Sequence, residues 1–147
     1  MKTLVMIADG DDVGIWPFDL LDRLGHTHWT DATRKMAEDG EAWIAVDRDD
    51  AVREHYEADE LARIERATRA PAFYGIEANA PFLLEFYLLL VPERSTVLID
   101  NDHGWIAPIA DYRRAILQGV PWLYAEASPL PEGGGTASTV EAATTGP

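Results

Sequence analysis

No cysteine occurs among these 147 residues, which excludes a disulfide framework, a thiolate metal centre and a cysteine nucleophile. Basic residues are scarce: 12 Lys and Arg stand against 26 Asp and Glu, a formal charge of −14. Nucleic acid duplexes and anionic membrane surfaces attract cations, so this balance argues against both as direct partners. Long apolar runs are lacking as well. The first, Leu4–Ala8, stops at Asp9, with Asp11 and Asp12 close behind, too soon for an export signal. The longest, Phe82–Val91, is interrupted by Glu85 and falls well short of the roughly 20 residues that span a bilayer. A soluble, cytoplasmic protein is the expectation. The chain has no nucleophile elbow, no phosphate-binding loop and no dinucleotide fingerprint. Gly133–Gly135 has no flanking strand and helix to make it one.

What is present is enough hydrophobic material to fold. Apolar residues make up 47% and aromatics 10%, too much for a disordered acidic chain and consistent with one core. The charge is uneven. Residues 1–60 hold 16 acids and 6 bases, net −10, whereas residues 61–147 are net −4. From Glu126 the chain turns to Pro, Gly, Ser, Thr and Ala with no aromatic residue. Such a segment buries too little to offset its ordering entropy, so a globular domain over 1–125 and a flexible tail over 126–147 are expected.

Within the domain the pattern reads as α+β. Lys2–Ala8 is a short apolar strand, and Pro17–Leu24 one or two helical turns behind Trp16, with proline at the first helical position. Thr30–Glu38 reads as a short helix with Gly40 beyond its end. Glu41–Asp47 alternates as a strand, and a broken helical stretch runs from Asp49 or Asp50 to about Arg69, its apolar stripe swinging within Glu57–Glu60. Ala72–Asn79 and Phe82–Val91 read as a strand pair joined at Asn79-Ala80-Pro81, and Thr96–Asp100 and Gly104–Ala107 as another. Pro108–Gln118 is a final amphipathic helix stopped by Gly119 and Pro121. A mixed or antiparallel sheet with helices mainly on one face is the packing this order predicts.

Several residues could carry chemistry. In Val97–Pro108 the residues Asp100, Asp102 and His103 could act as ligands or as an acid/base set, although tight-turn chemistry explains the same residues. Neither this loop nor the one at Asp9 fits an EF-hand. His26, His28 and His103 are the only histidines that suggest a metal site, and no metal is expected without further ligands. A three-residue connection at Asn79-Ala80-Pro81 would set Glu77 and Glu85 on the same face of one hairpin, and two such carboxyls suit glycoside chemistry. Each could equally mark the less buried face of its strand. Of the five tryptophans, Trp43 and Trp105 read as core, while Trp16 and Trp29 are candidates for exposed anchors.

The acids form two clusters. One follows the first strand (Asp9, Asp11, Asp12); the other surrounds the central helix (Asp47, Asp49, Asp50, Glu54, Glu57, Asp59, Glu60). Each follows a strand end, so if those strands are parallel neighbours the clusters lie along the same edge of the sheet and act as one surface. Such density repels itself, and a basic partner would offset the repulsion and be drawn in faster. The residues expected to meet that partner are Asp11, Asp12, Trp16, Asp47, Asp49, Asp50, Glu54 and Glu57, with Asp100, Asp102, His103 and Trp105 in reserve.

The stretch "VLIDNDHGWIAPIADYRRAILQGVPWLY", Val97–Tyr124, resembles the strand, turn and C-terminal helix of small acidic immunity proteins from bacterial polymorphic-toxin and contact-dependent systems. That resemblance implies a protein that neutralises a cognate toxin domain, often a nuclease with a basic cleft, and that needs no cofactor. Three other readings compete: a phage-type nucleic-acid mimic, a small enzyme using Glu77 and Glu85 or Asp100, Asp102 and His103, and a scaffold that oligomerises through an aromatic face.

Overall fold

Alternation of apolar side chains along the chain builds one antiparallel sheet. The computed structural model describes residues 2–10, 15–93 and 96–131. Its strands are β1 (Lys2–Asp9), β2 (His26–Trp29), β3 (Arg34–Asp39), β4 (Ala42–Arg48), β5 (Pro71–Ala78), β6 (Leu98–Asp100) and β7 (Ile106–Pro108). They lie in the order β2-β3-β4-β5-β1-β6-β7, every neighbour antiparallel. The α-helices are α1 (Trp16–Asp19), α2 (Ala58–Ala67), α3 (Pro81–Leu90) and α4 (Ile109–Leu117), with 3-10 turns at Leu20–Arg23 and Asp50–His55. The fold is α+β with a C-terminal helix, as the pattern predicted.

Successive residues of a strand point to opposite faces, and each face has its own core. On one face Leu4, Met6, Ile44, Val46, Tyr74, Ile76 and Ile99 pack under α1, α3 and α4. On the other, Val5, Ile7, Phe73 and Leu98 meet Ile64 of α2, with Val52, Tyr56 and Leu61 alongside. This second cover is short. It lies over the row Phe73–Ile7–Leu98 and leaves the rest of that face open.

Two expected elements are corrected. Residues 34–39 form β3 and not a helix: Arg34-Lys35-Met36-Ala37-Glu38 are good helix formers, but pairing with β2 and β4 on both sides overrides propensity. Gly40, at φ +64, opens the two-residue turn into β4 and caps no helix. Residues 81–90 form α3 and not a strand. Pro81 sits in its first turn, Leu83, Leu84, Tyr87 and Leu88 are buried, and Phe82 and Phe86 face out as an edge-to-face pair. That spacing belongs to a helix.

The central helical stretch is broken as expected, and its second half is capped by Glu57, in a capping box with Glu60. The packed chain also runs past 125. Leu130 lies against the larger core; of the expected tail, residues 132–147 lie outside the described residues.

Candidate functional site

The open part of the second face is crossed by one row of paired residues: Arg34, Asp47, Gly75, Val5, Asp100 and Ile106. Beside it runs a second row, Met36, Ala45, Glu77 and Thr3. Gly75 is central to both the sheet and the row. A Cβ there would meet no atom within 4 Å beyond its chain neighbours, and the space above it is a depression lined by Val5 and Ala45. The 3-10 turn at 50–55 forms its wall through Val52 and His55.

The depression encloses about 290 Å³ and is lined by Asp47, Asp49, Glu77 and Asp102, with Arg34 on the far side. A second hollow of about 230 Å³ continues it past Val5, Val52 and His55 to Tyr56, Glu60 and Asp100. Together they form one acidic groove with an apolar floor. Arg34 donates to Glu77 at 2.8 Å, which leaves Asp47, its cross-strand neighbour, without a cation among the described residues. One Asp47 oxygen, Oδ1, is sealed from solvent and accepts no hydrogen bond among the described residues. Asp49 and Asp102 likewise have no ion-pair partner among the described residues.

The other acids near the groove are already engaged. Asp50 takes Arg48 at 2.9 Å and the Phe73 N–H at 3.1 Å. Burial works to raise its carboxyl, but Arg48 and that N–H outweigh it and hold the group below the usual carboxylate value. Glu57 is spent on its helix cap. Glu54 is exposed on the wall, outside the groove lining.

Asp100 accepts the Tyr56 hydroxyl at 2.7 Å and the Asp102 N–H at 2.8 Å. Burial dominates and its carboxyl is pushed up; Asp102 and Glu60 add to this, and the two hydrogen bonds oppose it. The folded state therefore holds this proton more tightly than the unfolded chain does. The contribution of Asp100 to stability is greatest in acid and falls as pH rises from about 4 through the raised value. Asp100→Asn is expected to remove that slope. Urea titrations of both proteins across this range should show the variant gaining on the wild type as pH rises, and a constant difference would refute the assignment.

Of the acids expected to meet a partner, Asp47, Asp49, Asp100 and Asp102 come together. Asp11 and Asp12 lie outside the described residues. β1 and β4 are parallel but not neighbours, since β5 lies between them; Asp9 and Asp49 leave the sheet at the same end, two strands apart. Trp16 does not join the acids: it packs half-buried against the larger core on the opposite face. Trp105, only 5% exposed, is core, stacked on Tyr112 at 4.0 Å. Trp43 is half-buried, and Trp29, 50% exposed, leans on Phe18 at 4.8 Å.

Two chemical candidates are overturned. Glu77 faces the groove from β5, whereas Glu85, on α3 across the sheet, accepts the Trp122 indole N–H at 2.8 Å; the pair needed a hairpin that is not there. His26 and His28 sit on edge strand β2, and His103 lies at the other edge against Tyr124. No cluster of three metal-ligating side chains occurs among the described residues.

Sequence reading missed Asn101. Its side chain is fully buried and donates to the carbonyls of Trp122 and Ala125, both at 2.8 Å, while its Oδ1 accepts the N–H of His103 and Trp105. It ties the β6–β7 connection, and Asp102 with it, to the C-terminal segment. Asp102 itself stands at φ +66, a conformation that Asp and Asn tolerate best among non-glycine residues. An Asn in a turn carries no signal of such a remote pairing.

No helix among the described residues is long and apolar enough to cross a membrane. No protein-family model matches this chain, and no curated protein and no solved structure matches it either.

Proposed function

We propose that this is a binding protein, not an enzyme, which docks a basic protein on the open face of its sheet. The specific form of the proposal is an immunity protein of the cytoplasm that neutralises a cognate toxin domain, a nuclease, by covering its cationic cleft. The observation that carries it is the lining of one groove by Asp47, Asp49 and Asp102, none with a cation of its own among the described residues. Unpaired carboxylates around an apolar floor are poorly satisfied alone and favourable against Arg or Lys stems, which offer both a charge and an aliphatic surface. The overall charge of −14 extends the attraction beyond the contact.

The test is inhibition of a basic nuclease toxin domain encoded next to this protein. Stoichiometric inhibition by the wild type is expected, with loss of potency in an Asp47→Asn/Asp49→Asn/Asp102→Asn variant. Each substitution is isosteric and Asn suits the positive φ at 102, so the variant should fold. Full potency of the folded variant would defeat the groove as the docking site, and no inhibition by the wild type would defeat the reading itself.

A further inference from the structure

The helical side of the sheet carries a different kind of surface, one that lacks charge. α3 buries Leu83, Leu84, Tyr87 and Leu88 and turns Phe82 and Phe86 outward, 47% and 51% exposed and edge to face at 5.7 Å. Beside this ridge runs an apolar cleft of about 560 Å³. One wall is Pro81 and Glu85 of α3; the other is Ile116 of α4 with residues 119–125, including Tyr124, which is 56% exposed. Residues 85 and 86 are one step apart on the helix, about 100° around its axis, so ridge and cleft adjoin. Glu85 is the one charged residue in the cleft lining, and it already accepts the Trp122 indole N–H at 2.8 Å. No charged residue occurs anywhere over 115–125.

We propose that two copies of the chain meet on this face about a twofold axis, the Phe82–Phe86 ridge of each seated in the cleft of the other. Shape selects a second copy as the occupant. A convex and a concave apolar surface lying side by side are both covered at once by the same face turned through a twofold axis. Charge agrees. Two chains of −14 repel one another, and a face without free charge is where they approach at least cost, whereas a basic partner is drawn to the acidic groove on the other side of the sheet. Area agrees as well. The three half-exposed rings leave about 300 Å² uncovered, and the cleft walls and exposed Leu117 add to it. That is the apolar centre of a contact burying about 800 Å² per copy, as a stable pair requires. The pairing does not depend on the docking reading above: the groove stays open, and the dimer presents it twice.

Sedimentation velocity of the full chain tests this. The mass is expected to double from 16.3 kDa as concentration rises from about 1 to about 100 μM. Raising salt from about 0.05 to about 0.5 M should tighten the pair about threefold, because it screens the repulsion and there is no ionic contact to weaken. Phe82→Gln/Phe86→Gln, which places good helix formers at two outward positions, should weaken association at least tenfold with an unchanged melting temperature. The arrangement has its own readout, independent of that variant. The chain has no cysteine, so a Phe86→Cys chain mixed with a Tyr124→Cys chain and oxidised should form more intermolecular disulfide than either chain alone. A monomer at about 500 μM would overturn the proposal and leave the cleft to another occupant. A pair that loosens in salt, that ignores the double substitution, or that shows no excess of mixed disulfide would overturn it too, by placing the contact on another face.

Discussion

Alanine at Asn101 is expected to cost about 3–5 kcal/mol, a large share of the stability of an ordinary domain. The side chain is 0% exposed and uses all of its main hydrogen-bonding capacity on four backbone groups. Removing it strands two carbonyls and two N–H groups, two of them in buried and two in part-buried contacts, and each buried stranded group costs about 1–3 kcal/mol before relaxation. The damage reaches further than the turn. Trp122 and Ala125 are held by the amide of Asn101, and Trp122 also packs on Tyr112 at 5.8 Å and donates to Glu85. Thermal denaturation should show a midpoint lower by about 10 °C or more, and guanidinium denaturation a lower midpoint concentration. Asn101→Asp, which keeps the acceptor and loses the donor, should be nearly as harmful. A shift of only a degree or two in the alanine variant would mean that the amide is not the tie its four contacts imply.

Reversing the charge of the groove's near end is expected to have the largest kinetic effect. Asp47→Lys with Asp49→Lys should slow association with a basic toxin domain by about 10- to 100-fold at low salt, with the difference shrinking as salt screens the field. A control with the same change in charge is available at the opposite end of β3 and β4, where Asp39 and Glu41 are exposed beside the Gly40 turn. Stopped-flow traces of both double variants separate a local site from a global field. If the Asp39→Lys/Glu41→Lys protein slows as much, the groove has no special role and the net charge alone steers the encounter.

Much of the sheet was legible because its strands alternate over residues that sit between two packed faces. The segment Ala42–Val46 assigned its own faces: Ile44 and Val46 lie in the larger core, while Ala45 lines the groove. The β6–β7 pair and α4 were equally readable, since Asn101–Gly104 and Gly119 punctuate them. Failure came where local signals compete. In Phe82–Val91 nearly every residue is apolar, so neither a period of two nor of 3.6 stands out, and Pro81 was the one cue that favoured a helix. At residues 34–39 propensity pointed to a helix and pairing on both sides made a strand.

The groove was half visible for a similar reason. Its acids were recognised as clusters in the chain, but Asp102 joins Asp47 only because β1 and β5 lie between β4 and β6 in the sheet. No rule read along the sequence supplies that order. Gly75 was silent too: a glycine within a strand reads as a weakness, and only the open space above it gives it a part in the site.

The placement of the indoles divides what light can report. Trp105 and Trp122 flank the Asn101 knot and Trp16 lies on the same side of the sheet, while half-buried Trp43 stands on the groove's face of β4, two residues from Ala45 and outside the lining. Intrinsic emission is therefore weighted towards the C-terminal knot, and only Trp43 stands on the face where a partner would arrive. An unchanged spectrum on mixing says nothing against complex formation; a dye placed at exposed Thr3, on the rim itself, would see the event.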